Sequence, residues 1–445
     1  MGVDEAEYLH QLPSWNACDN SLEFQAFERH VPADRAHWRR LRRALPKLKA
    51  MGIDNIWIRP GCKGANPTGN GYFDQKGSQS TKGGTKEELR LPAIKVNPKN
   101  RMIEISEPEE IERWVGFNFP GRDTLYSSLK YNWSHFSSVD WGESRKEEAI
   151  FKIKGPNKGW ATDVSNENGN YDYLMFSDLH YSNPEVQRDV VRWGHWVTTQ
   201  LPLSGMRLDA AKHYPADFQK TFIKIDMLLD YLDKMENQLS LFDVPLLGQF
   251  SRISLTKGAD MRRIFEGTLV QQKPEHAVTF VANNDTAPIA PYFKPIAYAL
   301  ILLRDKGQPC VFYGDLYGIR ANSNPSSMPA YASKLATLIQ ARQLYANGAQ
   351  RDYFDRPNCI GFVRYGNARH PFGLACIMSN SVSSQKRMHV GRAHSGEQWT
   401  DILNSRTETI KINRRGYGVF PVSALSVSGW VNFAPESREN LHLFL

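Results

Sequence analysis

Gly205-Met-Arg-Leu-Asp-Ala-Ala-Lys-His213 follows an apolar lead-in and ends in polar residues. Read as a β-strand from Leu203 to Asp209, its side chains alternate. Arg207 and Asp209 share one face, and Met206 and Leu208 share the other. The apolar pair then faces a layer of helices, and the charged pair points inward at the strand's C-terminal end. An arginine two residues before an aspartate keeps the carboxylate ionised. Alone, such a pair reads first as a structural ion pair.

Working outward, four further runs lack strict alternation and stop at turn residues, as strands buried on both faces do. They cover residues 52–60, 241–245, 277–285 and 308–314. Helical periodicity marks residues 36–50, 184–200, 220–238, 294–306 and 329–345. Strands alternating with helices predict an α/β fold with a parallel sheet, doubly wound or closed into a barrel.

Two stretches break this alternation. Residues 76–181 are rich in Gly, Asn, Ser and aromatics without a long helical pattern, and read as an irregular insertion. Beyond Tyr345, short apolar runs at 359–364, 373–378, 387–391 and 426–431 are separated by Gly, Asn and Pro, which predicts a separate antiparallel β domain. The expected division is therefore 1–75 with 182–344, 76–181 as the insertion, and 345–445.

A chain of 445 residues with 41% hydrophobic content can bury substantial cores. Its 11 Trp, 18 Tyr and 22 Phe suit stacking on flat apolar ring faces, and equally suit core filling. The net charge of +8 raises the question of nucleic acid. In the densest basic run, residues 35–49, Trp38, Leu41, Leu45 and Leu48 fall at helical spacing. That leaves Arg39, Arg40, Arg42 and Arg43 on a solvated helix face, with no nucleic-acid motif around them. No run approaches the ~18 apolar residues of a membrane span. Cys18, Cys62, Cys310, Cys359 and Cys376 are scattered and odd in number, as expected of reduced thiols. The acidic first 20 residues show no apolar signal core. A cytoplasmic monomer is expected.

A second carboxylate stands in Phe280-Val-Ala-Asn-Asn-Asp-Thr286, an apolar strand running into a polar lip at Asp285. Alone, this is a turn-forming Asn/Asp cluster. Together with Gly205–His213 it resembles the α-amylase family, glycoside hydrolase family 13. Arg207 and Asp209 lie on the family's G-F-R-L-D-A-V-K-H, and Phe280–Thr286 on its F-V-x-N-H-D-T. The resemblance continues through residues 37–41, 164–175, 242–245, 293–298, 311–315 and 348–355, and so covers nearly the whole chain. The set is similar to bacterial liquefying α-amylases and their intracellular fungal relatives.

That resemblance implies a (β/α)8 TIM-type barrel, an irregular B domain inserted after the third strand, and a C-terminal antiparallel sandwich. It implies an α-1,4-linked glucan, such as starch or glycogen, as substrate. Retaining hydrolysis needs a nucleophilic carboxylate and an acid/base carboxyl about 5 Å apart, set at the C-terminal ends of barrel strands. By resemblance Asp209 is the nucleophile and Asp285 the transition-state-stabilising carboxylate, with Arg207 beside the nucleophile. Lys212 and His213 line the aglycone side, Asn284 holds the sugar, and Tyr72 stacks under it at the cleavage point. Asp172, Asp178 and His213 fall on calcium-ligand positions.

The pattern also breaks. A barrel of roughly 250 residues spends about 31 on each strand–helix unit, so about 50 should separate the fourth strand from the sixth. Residues 214–241 supply 28. The fifth strand, which carries the family's general acid Glu, has no counterpart; Glu236 and Glu266 are the nearest glutamates, both in helical patterns. The third strand is likewise unmatched, since residues 93–94 pass directly to 96–100, and its calcium-binding Asn and sugar-binding His go with it. Asn284 replaces a His, and Ala161 and His180 replace two aspartates of the calcium region. Hard Ca²⁺ takes six to eight oxygens, and this set falls short. Three readings follow: a hydrolase with a substitute acid, a working hydrolase whose sequence here omits two segments, and a non-catalytic glucan-binding or regulatory homologue.

Overall fold

Four of the short apolar runs pair into one parallel sheet, together with a strand at Glu23–Gln25 that the sequence reading did not mark. A computed structural model describes residues 20–28, 36–58, 90–113, 115–117, 124, 127–200, 205–223, 240–283, 289–319, 329 and 331–432. The strands lie in the spatial order Asn55–Trp57, Glu23–Gln25, Gln308–Phe312, Ala277–Phe280 and Leu241–Phe242. Every neighbouring pair is parallel, in register through Ile56 on Phe24, Phe24 on Val311, Cys310 on Phe280 and Phe242 on Val278.

Parallel neighbours require crossovers, and helices supply them. His37–Met51 lies between the Glu23–Gln25 and Asn55–Trp57 strands in sequence, and Lys294–Leu302 between the strands at 277–280 and 308–312. In Lys294–Leu302 the run Ile296–Leu302 is apolar throughout and wholly buried, as a helix without a polar face must be. His37–Met51 buries Leu41, Leu48 and Met51 and leaves Arg39, Arg42 and Arg43 exposed. Trp38 and Leu45 are exposed too, so the apolar stripe is narrower than the periodicity predicts. The helix stops at Gly52, whose φ of 115° is left-handed. A Cβ there would stand 2.7 Å from the Gln343 side chain, which donates from Nε2 to the Gly52 carbonyl at 3.1 Å.

One expected strand is absent from this sheet. Residues 203 and 204 lie outside the described residues, 205–208 have no ladder pairing, and Asp209 sits in a bend. A strand exists through its neighbours' hydrogen bonds. Within the described residues the parallel sheet ends at Asn55–Trp57 on one side and Leu241–Phe242 on the other.

From Gln350 to Val431 every ladder is antiparallel. Six strands run in the order Gln350–Arg356, Cys359–Arg364, Leu374–Ser379, Ser426–Val431, Gln398–Asp401 and Ile410–Lys411. Ser384–His389 pairs separately with Tyr417–Val422. Val363, Ile377, Met388, Trp399, Phe420 and Trp430 are fully buried in their shared core.

Residues 90–179 are more regular than their composition suggests. Arg90–Asn97, Asn100–Glu104, Glu109–Glu112, Phe136–Gly142, Glu147–Ile153 and Asp178–Leu179 form a six-stranded antiparallel sheet. Alternation is present at Leu91 and Ala93 and at Phe151 and Ile153, all buried in one cluster. Charged partners such as Lys95 and Glu147, joined at 2.7 Å, mask it in the sequence. By packing, the described residues fall into two units, 20–58 with 240–432 and 90–223. Among them no helix is long and apolar enough to cross a membrane, and Cys310, Cys359 and Cys376 are free and buried.

Candidate active site

Asp209 projects from the bend that closes the 205–209 segment. Its Oδ1 lies 2.9 Å from Nη1 of Arg207, with the arginine side chain 28% and the aspartate 55% exposed. The two side chains share a face, as the alternation requires, even without a ladder. The next residue, Ala210, is left-handed at φ 55° and ψ 28°. A side chain in that region costs about 1 kcal/mol or more. The turn runs into the short helix Ala211–His213, and the Tyr214 hydroxyl reaches back to donate to the Asp209 carbonyl at 2.7 Å. Gln219 Nε2 donates to the Ala211 and Tyr214 carbonyls, both at 2.8 Å.

Lys212 and His213 both settle on Tyr171. The Lys212 ammonium lies 4.6 Å from the Tyr171 ring centroid and 2.6 Å from the Glu167 carboxylate. The His213 ring meets Tyr171 edge-on at 4.2 Å, and its Nδ1 bonds the Tyr171 carbonyl at 2.8 Å. A carbonyl only accepts, so Nδ1 carries the proton and Nε2 of the neutral ring is an acceptor. Burial lowers the His213 pKa and favours that neutral ring. Glu167 is tied to the segment through Lys212, whose hydrogen bond holds the glutamate below its ordinary range. An acid that must donate a proton near neutrality needs the opposite shift.

Asn284, Asp285, Tyr72 and Glu236 lie outside the described residues. Glu266, read from sequence as helical, stands exposed in a turn 3.6 Å from Arg263. Gly267 breaks the helical pattern directly after it, with a left-handed φ of 74°.

The calcium region can be tested against its donor set. Asp172 is buried and accepts from the Ala161 backbone N–H at 3.1 Å. Asp178 accepts from the Ser137 hydroxyl at 2.5 Å. Burial raises the Asp172 carboxyl to about 6, and burial together with the Asp172 charge pushes Asp178 well above its ordinary value. His180, in place of an aspartate, is pulled to about 4 by burial and by Lys158. Burial brings Lys158 itself down to about 8, so it keeps its charge at neutral pH. Among the described residues no three His, Cys, Asp or Glu side chains are grouped to hold a metal. The residues present do not fit calcium. Sequence reading missed Arg101, Ser137 and Lys158 here; Ser137 bonds an acid 41 positions away, and Arg101 and Lys158 act on groups far from them in sequence, so no local spacing marks them.

No family model matches the chain. It is 40% identical to the glucan 1,4-α-maltohexaosidase of Bacillus sp. strain 707, over 93% of this chain and 92% of that protein. It is 35% identical to the cytoplasmic α-amylase of Escherichia coli K12, over 93% of this chain and 99% of that protein. The α-amylase crystal structure from Anoxybacillus superimposes with a TM-score of 0.59 at 13% identity, covering 93% of this chain and 97% of that one. The first of these alignments runs over 483 positions, while 93% of 445 residues is about 414, so about 69 positions of the relative have no partner here. With the α-amylase fold and this identity over nearly the whole length, the chain belongs to the α-amylase family.

Proposed function

We propose that this chain is an α-amylase-type retaining glycoside hydrolase for internal α-1,4-glucosidic bonds of starch- or glycogen-like glucans, weakened by the loss of its general acid. Asp209 is the nucleophile, kept ionised by Arg207, and Asp285 the second carboxylate. Lys212, His213, Asn284 and Tyr72 bind the glucan. The division is a β/α barrel from 1–75 and 182–344, a B domain from 76–181, and a C-terminal domain from 345–445. The protein acts as a cytoplasmic monomer.

The carrying observation is the Asp209–Arg207 pair at 2.9 Å, still open to solvent on a segment without ladder pairing. The unmatched third and fifth strands are supported by the about 69 unpartnered positions and by the ends of the parallel sheet, where those strands would pair.

A substrate whose leaving group needs no proton separates the parts. α-Maltosyl fluoride expels fluoride unassisted, whereas starch must have its glycosidic oxygen protonated, a step worth 10²–10⁴-fold. The purified chain should hydrolyse the fluoride and release reducing ends from starch at least about 10²-fold more slowly. Asp209→Asn should remove the fluoride activity by about 10⁴-fold. Glucan binding with no turnover of either substrate would replace this reading with the non-catalytic one.

A further inference from the structure

Strand alternation in the 350–431 region sets arginines and aromatic rings on shared faces. Arg351 and Tyr353 stand two apart on Gln350–Arg356, and Arg387 and His389 two apart on Ser384–His389. His389 pairs directly with Tyr417 across the ladder, which leaves Tyr417 diagonal to Arg387 and within reach of its long side chain. The Arg387 guanidinium accordingly lies 4.0 Å from the Tyr417 ring centroid, and that of Arg351 lies 5.3 Å from Tyr353. His389 joins the two stacks. Its backbone N–H donates to the Tyr353 hydroxyl at 2.8 Å, and its ring stands 4.8 Å from Tyr417 and 6.1 Å from Tyr365.

No acid answers these cations. Among the described residues neither Arg351 nor Arg387 has a carboxylate within 4 Å, and the acids beside Arg351 on its strand turn elsewhere, Asp352 to Arg304 at 2.7 Å and Asp355 to Lys386. Arg392, Arg414 and Arg415 are exposed and equally without a carboxylate among the described residues. They reach the same place because Gly391 and Gly416 touch. A Cβ on Gly416 would stand 2.5 Å from the Gly391 backbone, and one on Gly391 3.7 Å from the Tyr365 ring. Glu397, bonded to His394 beside Gly391 at 2.9 Å, is also taken by Trp399 at 2.8 Å. Stacking on a ring explains where each guanidinium lies but leaves its in-plane N–H groups unused. A planar fork laid on a ring presents those groups sideways, the arrangement that takes a pair of phosphate oxygens. A neutral sugar would want bare ring faces instead. Tyr353 and Tyr365 pack against the buried core, and guanidiniums lie over Tyr353 and Tyr417.

We infer that this cluster is an oxyanion site for a phosphate monoester, gripped by Arg351 and Arg387, with Arg392, Arg414 and Arg415 supplying positive potential around it. The monoester's source is the glucan chain, so that phosphorylated stretches of the polymer are held at the enzyme. The anion site stands on its own geometry, and only the glucan source rests on the proposed function.

Binding of the full chain is measured on phosphorylated starch and on the same starch stripped by phosphatase, with glucose 6-phosphate and inorganic phosphate as competitors. The phosphorylated starch should bind at least about 10-fold more tightly, a preference that either competitor removes. Arg351→Gln and Arg387→Gln should each abolish most of that preference, while Tm and hydrolysis of α-maltosyl fluoride stay unchanged. Arg387→Lys should recover only part of it, since an ammonium keeps the charge without the fork. Equal binding of the two starches with no competition overturns the inference, and so does a preference that survives both Gln substitutions or falls only in step with Tm. Should a substituted chain fail to fold, competition by glucose 6-phosphate decides alone. Competition without a preference for phosphorylated starch keeps the phosphate site and overturns its glucan source. A single-stranded oligonucleotide that binds more tightly than phosphorylated starch makes the cluster a nucleic-acid surface and overturns the inference. Loss of fluoride hydrolysis in the unsubstituted chain, with the phosphate preference intact, breaks the proposed function alone.

Discussion

The C-terminal sheets and the 205–213 segment both carry strong sequence signals, yet they are held in opposite ways. Residues 350–431 are fixed by apolar burial, with Trp399 and Trp430 wholly inside and six strands joined by antiparallel ladders. Residues 205–213 keep the family's lettering and have no ladder at all. They are held by an ion pair, a tyrosine hydroxyl and a glutamine amide. A motif reports which chemistry a segment served, while its geometry depends on neighbours that the motif does not contain.

The comparison predicts where stability sits. Trp430→Ala removes the largest class of side chain from a packed core and should cost about 4 kcal/mol, read from denaturant midpoints. A loss below about 1 kcal/mol would mean that the core is looser than its burial indicates. Next comes Asp401, buried in the same sheet, whose carboxylate accepts from the N–H groups of Leu403, Ser405, Arg406 and Gly429 at 2.9 to 3.1 Å. Asp401→Ala strands four donors and should cost about 3 kcal/mol, with part recovered in Asp401→Asn, which keeps one acceptor oxygen.

Legibility follows the same division. Four of the five parallel strands were readable as apolar runs, as at Val311 and Phe312, while Glu23–Gln25, polar at both ends, was missed. The sheet at 90–153 was not readable, because charged residues such as Lys95, Glu147 and Lys152 interrupt its strands in ion pairs that look like loop composition. The strand at 203–209 was predicted from its own alternation, and the alternation survives as the shared face of Arg207 and Asp209. What a single segment cannot encode is whether a partner strand exists. Arg101 and Lys158 were invisible for a related reason: their roles arise from carbonyls and rings brought close by the fold.

Arg207 separates function from stability within the weaker region. Its pair with Asp209 is partly exposed, and such pairs contribute 0–1 kcal/mol. Arg207→Leu should therefore shift stability by less than about 0.5 kcal/mol. Turnover of α-maltosyl fluoride should fall by about 10²-fold, because the carboxylate loses the group that orients it. If stability falls as far as activity, the pair is structural and the site reading weakens.

The smallest effect is the most local. Ala210 sits left-handed directly after Asp209, where a Cβ costs about 1–2 kcal/mol. Ala210→Gly relieves that strain and adds about 0.5–1 kcal/mol of unfolded-state entropy to be overcome. The balance favours the variant by about 0.5 kcal/mol, a rise in Tm of about 1–2 °C. A fall of several degrees would show that the alanine methyl packs against something the turn needs. A rise accompanied by slower fluoride hydrolysis would show that the strained turn is what aims Asp209, with rigidity there serving chemistry and not the fold.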